Sequence, residues 1–262
     1  MNAAATTQPP ARLGPLLERL QREHFPQHHL AEPEAGKVVA QFFRSRITSV
    51  FQPVVRAADG AIAGHQGLLR VFDEAGVAAA PWSVFSQAAD DAQLVQLDRM
   101  CRTVHALNFF PSHTGSDALF LNVEQRLLKA VSADHGAYFE SILARLEVTP
   151  QRVVIVLPAS AVDDPVTFVR AAISYRIRGY RVLCQLRSVA EADLNHIYLA
   201  DPHYVAVDFE DVDCRALVAA LTRRGIGSVA RRIQNEEQAA AARAAGFGFL
   251  QGWHFAPGGK RL

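Results

Sequence analysis

From residue 48 onward, short apolar runs of strand length alternate with longer segments whose apolar residues recur at helical spacing. The strand-like runs fall at residues 48–57, 61–72, 118–123, 152–158, 181–186, 203–209, 227–233 and 248–253. Segments such as 164–178 and 211–224 leave room for crossover helices between parallel strands. The first two runs are separated only by Ala58-Asp59-Gly60, a turn signal for an antiparallel hairpin. Eight strands in about 215 residues predict an α/β fold, a TIM-like (β/α)8 barrel whose first two strands form a hairpin. In such a barrel functional groups stand where strands end, at the C-terminal face.

Ahead of the barrel, residues 1–12 are rich in Ala, Thr and Pro without apolar periodicity, and are expected to form a flexible tail. Leu13, Leu16, Leu17 and Leu20 repeat at helical spacing, and Val38, Val39, Phe42 and Phe43 do so again after a His- and Pro-containing break at 24–33. Two short helices are therefore expected in an extension over residues 13–46, followed by one domain over 47–262.

The 262 residues carry 27 basic and 26 acidic side chains, a net charge of +1, so no whole-molecule field favours a nucleic acid polymer or an anionic membrane. Half the residues are hydrophobic and 20% are charged, as in ordinary globular chains. The longest apolar runs are too short to span a bilayer, and the start has no apolar signal segment. Cys101, Cys184 and Cys214 are far apart and in no paired motif, which fits a reducing, cytoplasmic location. The ten histidines include adjacent His28 and His29 but no HxH or HExxH spacing, so no metal site is read from them.

Several strand segments carry a resemblance. Phe51-Gln52-Pro53-Val54-Val55 is similar to an opening YQPIV strand, and Gly64-His65-Gln66-Gly67-Leu68-Leu69-Arg70 to a GYEALLR signature. Leu97-Asp98-Arg99 resembles an LDR helix start, Leu121-Asn122-Val123 a V-N-L strand, and Phe249 through Phe255 a closing YxQGYxF. In this order and spacing the segments resemble the EAL-domain family of cyclic di-GMP phosphodiesterases over nearly all of residues 47–258. The resemblance implies an EAL-type barrel and a place in bacterial cyclic di-GMP-related signalling.

Family members hold two divalent cations with carboxylates at the strand ends, and two-metal hydrolysis needs such oxygen ligands. Against that pattern the signature glutamate is Gln66, the strand glutamate of E-I-T-E is Val156, and the paired aspartates are Gln185 and Leu186. The lysine of K-I-D is Ala206, with Asp208 retained, and the glutamates of E-G-V-E-T are Arg231 and Gln234. Asn122 alone matches a metal ligand. No catalytic residue, bound metal or cofactor is expected, because a lost electrostatic group typically lowers rate by about 10²- to 10³-fold and several are missing together.

Gln52, Leu68, Arg70, Asn122, Asp208, Arg231 and Gln251 remain as candidates for a vestigial nucleotide pocket. Arg70 is expected either against a ligand or paired with a carboxylate such as Asp208. Arg231 and Arg232 place positive charge where the resemblance implies glutamate, and with Arg70 and Arg187 they suggest a basic mouth. The chain is thus expected to be a catalytically inactive EAL-type regulator acting through a protein partner. The alternatives are a metal-independent cyclic di-GMP receptor and, further off, an active phosphodiesterase with a relocated metal site. Homodimerisation through barrel-flanking helices is a further expectation that the resemblance implies.

Overall fold

The computed structural model describes residues 13–32, 36–130, 136–187, 194–209 and 214–256; the tail expected over residues 1–12 lies outside them. The chain forms two compact units, Met1–Ser49 with Leu69–Thr114, and Val50–Leu68 with Gly115–Leu262.

In the first unit, helix α1 (Leu13–His24) buries Leu13, Leu17 and Leu20, one face at i, i+4, i+7. Strands β1 (His29–Ala31), β2 (Val39–Phe42) and the start of β3 (Ser45–Arg56) form an antiparallel meander, with Leu30 opposite Ala40 and Ala40 opposite Ile47. The end of β4 (Ile62–Phe72) pairs antiparallel with β5 (Ala78–Ala79). After the short α2 (Trp82–Phe85) comes α3 (Asp91–Phe109), whose N-cap Asp90 accepts the Gln93 N–H at 2.8 Å.

Polar side chains of α3 hold distant segments. Asn108 accepts the Val38 N–H on Oδ1 at 2.6 Å and donates from Nδ2 to the Val38 carbonyl at 2.9 Å. His105 Nδ1 lies 2.7 Å from Ser49 Oγ, and both residues are buried. Asp98 and Arg102 form a buried ion pair one helical turn apart. The Asn108 and His105 contacts tie residues 69–114 to 13–49.

The helix expected around Val38–Phe43 is instead strand β2. Val38, Ala40 and Phe42 are buried while Gln41 is exposed, a period of two. Over six residues an i, i+1, i+4, i+5 set is compatible with either element, and the pairing with β1 and β3 decides it. One helix, α1, precedes the barrel among the described residues.

The second unit contains the barrel. Strands β6 (Ala118–Asn122), β7 (Val153–Leu157), β8 (Arg181–Leu186), β9 (Tyr204–Asp208), β10 (Gly227–Arg231) and β11 (Phe249–Gln251) follow β4 in parallel. The antiparallel β3 pairs with both β11 and β4 and closes eight strands into a barrel. Between them lie α4 (Gln125–Ala130), α5 (Ala137–Arg145), α6 (Pro165–Ile177), α7 (Leu194–Ala200), α8 (Arg215–Arg223) and α9 (Glu236–Ala244).

The strands are runs of Val, Ile and Leu because they are covered on both faces; all five residues of β7 are buried. Val54, Ala118, Phe120, Val154, Val156, Leu183, Ala206 and Val229 fill the interior. The hairpin turns as expected, with the Arg56 N–H on the Ala61 carbonyl at 2.8 Å and Gly60 at φ +70°. Gly64 is required by proximity: a Cβ there would lie 2.3 Å from the Ala118 carbonyl oxygen.

Candidate functional site

Parallel registration brings the ends of β6 to β11 to one face, and antiparallel β3 delivers Gln52 to the same end. The result is a cavity of about 360 Å³ lined by Gln52, Gln66, Leu68, Asn122, Val156, Gln185 and Gln251 from the strands. Arg231, Arg232, Gln234 and Trp253 complete its rim, with Val123, Pro158 and Gly252 between.

Four amides form its polar floor. Gln66 donates from Nε2 to Asn122 Oδ1 at 2.8 Å. Gln251 donates from Nε2 to Gln52 Oε1 at 2.9 Å and also to Gln66 Oε1. Gln66 and Gln251 are each 6% exposed, so their bonds are made largely out of water, where an unmet polar group would cost about 1–3 kcal/mol. Both Gln66 groups, its Nε2 as donor and its Oε1 as acceptor, are thus used within the network.

The rim carries charge of one sign, partly offset. Arg231 and Asp208 are register partners at the ends of β10 and β9, and their Nη1 and Oδ1 lie 3.5 Å apart. Arg232 Nε stands 3.0 Å from the other Asp208 oxygen. Burial pushes the Arg231 guanidinium below its ordinary pKa, and Asp208 opposes that shift. Arg232 holds φ +61°, a left-handed conformation that non-glycine residues adopt at about 1 kcal/mol.

Not every expected residue reaches the cavity. Leu186 and Ala206 are buried and do not line it, Ala206 being part of the barrel interior. Arg70 belongs to the first unit, donates from Nη1 to the Leu69 carbonyl at 3.2 Å, and is not a lining residue. Asp208 pairs with Arg231 and Arg232 in place of the suggested Arg70 pairing. Arg187, expected at a basic mouth, is exposed and bonded to Asp163 Oδ2 at 2.6 Å.

Trp253, Pro158, Val123 and Gly252 line the cavity although the sequence reading did not select them. Their signal is position, each lying within two residues of a strand end. Gly252 is held to its identity because a Cβ would meet the Ile233 carbonyl oxygen at 1.9 Å.

The donor set does not fit a pair of hard cations. Among the described lining residues there is no carboxylate, and three of the four floor carbonyl oxygens already accept amide N–H bonds.

The EAL domain family model matches residues 38–258. The chain belongs to the EAL domain family. No curated protein matches it. Among solved structures it is similar to the EAL enzyme Bd1971 in a cAMP-bound form, with 14% identity, TM-score 0.66, and 80% of this chain and 62% of that one covered. The FimX EAL domain from Pseudomonas aeruginosa bound to c-di-GMP gives 15% identity and TM-score 0.68, covering 79% and 88%. A standalone versatile EAL protein from Vibrio cholerae O395, also c-di-GMP-bound, gives 17% and 0.66, covering 82% and 98%. The chain spans about three fifths of the Bd1971 structure. These structural likenesses show a shared fold. Among the described residues no helix is long and apolar enough to cross a membrane.

Proposed function

We propose that this EAL-family chain is catalytically inactive and acts by binding, as a regulator whose output is contact with a protein partner. The observation that carries the reading is the amide floor. Gln66, where the resemblance places a metal-binding glutamate, is an amide bonded to Asn122 and Gln251, and no carboxylate among the described lining residues stands in for the lost one. An amide network of this kind brings no negative charge to offset the dehydration of Mg²⁺ or Mn²⁺. Hydrolysis of a phosphodiester at this mouth would lack metal, activated water and general base together.

A second reading is a metal-independent cyclic di-GMP receptor, in the cytoplasm as the composition suggests. Arg231 and Arg232 favour it, since guanidinium groups at a cavity rim suit phosphate oxygens. Asp208 weighs against it by offsetting that charge from within. Homodimerisation is compatible with either reading.

The test pairs a turnover assay with calorimetry. Purified chain incubated with cyclic di-GMP and Mg²⁺ or Mn²⁺ is expected to yield no linear dinucleotide; metal-dependent product would restore the phosphodiesterase reading. Titration with cyclic di-GMP is expected to release no heat. Micromolar binding abolished by Arg231→Ala would instead make the chain a receptor.

A further inference from the structure

The first unit holds a groove of about 610 Å³, separate from the barrel mouth, between the β2–β3 turn and the start of α3. Its aromatic wall is ordered by stacking. The His28 ring lies over Phe42 with centroids 4.9 Å apart and planes at 23°. Phe43 meets Phe42 edge-on at 4.7 Å and His28 at 6.4 Å. Phe42 is fully buried, whereas Phe43 is 49% exposed at the lip.

Phe43 is an unexpected residue for that place. It sits at φ +48°, where glycine or asparagine is favoured by about 1 kcal/mol, and it leaves half an aromatic ring in water. The turn itself would be better served by Asn or Gly. A backbone outlier that also presents an aromatic face is a reason to look for a ligand.

The charge of the groove says which ligand. Asp90 is its one carboxylate among the described lining residues, and no lysine or arginine lines it. Asp90 gives one oxygen to the Gln93 N–H as the α3 N-cap, and the amide of Gln96 adds a further polar group to the wall. Burial lowers the His28 pKa, so its ring is uncharged near neutrality and does not repel a cation. Aromatic faces, a carboxylate and an uncharged imidazole together suit a flat cation. Guanidinium fits better than ammonium, because it is planar, weakly hydrated and able to stack and hydrogen-bond at once.

We propose that the groove formed by His28, Phe43 and Asp90 receives the guanidinium of an arginine presented on a segment of a partner protein. The arginine lies along the Phe43 face and points its N–H fork at the Asp90 carboxylate, one oxygen of which caps α3. This site shares no lining residue with the barrel mouth.

Selection of a displayed random twelve-residue peptide library on the full chain tests it. The expected outcome is enrichment of peptides sharing an arginine, and at least tenfold weaker calorimetric binding of the best synthetic peptide when that arginine is replaced by lysine. Two protein variants spare the fold: Phe43→Asn suits the left-handed backbone, and Asp90→Asn preserves the helix cap. Each is expected to lower the affinity tenfold or more with melting temperature unchanged or raised. Failure to enrich any peptide, enrichment of peptides without arginine, or losses smaller than tenfold in both variants would overturn the proposal.

Discussion

Gln66 Nε2 donates to Asn122 Oδ1 at 2.8 Å and links the mouth ends of β4 and β6, the first two parallel strands of the barrel. Residue 66 is the donor in this bond. A carboxylate there has no N–H to give, and it could keep the contact only if the Asn122 amide turned to donate its Nδ2, while a charge would stand in a largely buried position.

Gln66→Glu is therefore expected to destabilise the folded chain at pH 7 by about 1–3 kcal/mol, since a buried group loses its donor role and gains charge. The loss should shrink as the pH is lowered and the carboxyl is protonated, restoring a donor. Urea unfolding at pH 7 and pH 5 checks both statements; equal stability to the parent at pH 7 would contradict them. The single substitution should not create a metal site, because Val156, Gln185 and Asn122 remain uncharged.

Removing Asp208 tests the charge balance of the rim. Asp208→Asn leaves half-buried Arg231 beside Arg232 without its counter-charge and is expected to cost about 1–2 kcal/mol, less than for a fully buried pair because both side chains keep some solvent. Sulfate should stabilise this variant more than the parent. Thermal melts in a sulfate series provide the comparison, and identical sulfate responses would refute it.

His105 supplies a pH dependence in the first unit. Burial pushes its pKa down to about 4, against roughly 6.5 for an unfolded histidine. As the pH falls through 6.5, the unfolded chain takes up a proton that the folded chain refuses. The contribution is complete above pH 6.5, declines between 6.5 and about 4, and no longer changes below. The difference corresponds to roughly 3 kcal/mol over that window. His105→Gln should flatten the stability–pH curve there relative to the parent; parallel curves would show that another group is responsible.

Gly252→Ala tests the close approach behind the rim. The added methyl would collide with the Ile233 carbonyl, which accepts the His254 N–H at 3.1 Å, so backbone must move. A loss of about 2 kcal/mol or more is expected. A melting temperature within a degree of the parent's would show that the loop yields freely.

The barrel was legible because its strands are doubly covered. Runs such as Val153–Leu157 have no polar face to obscure them, and Ala58-Asp59-Gly60 marks the β3–β4 hairpin. The strand at Val39–Phe42 was not, since so short an apolar cluster satisfies two periods and only its neighbours choose between them. Nor could the grouping of 69–114 with 13–49 be read, because it rests on pairs as distant as Val38 and Asn108. At the site, the amide positions followed from the family resemblance. The pairing of Asp208 with Arg231 followed from none of it: adjacent strand ends meet only through the β9–β10 register.

Manganese electron paramagnetic resonance on the full chain addresses the barrel mouth most directly. Titrating Mn²⁺ into the protein, with and without cyclic di-GMP, is predicted to give the free-ion signal throughout, with no saturable loss of amplitude. Stoichiometric capture of one or two Mn²⁺ ions that disappears in Asn122→Ala would contradict the account.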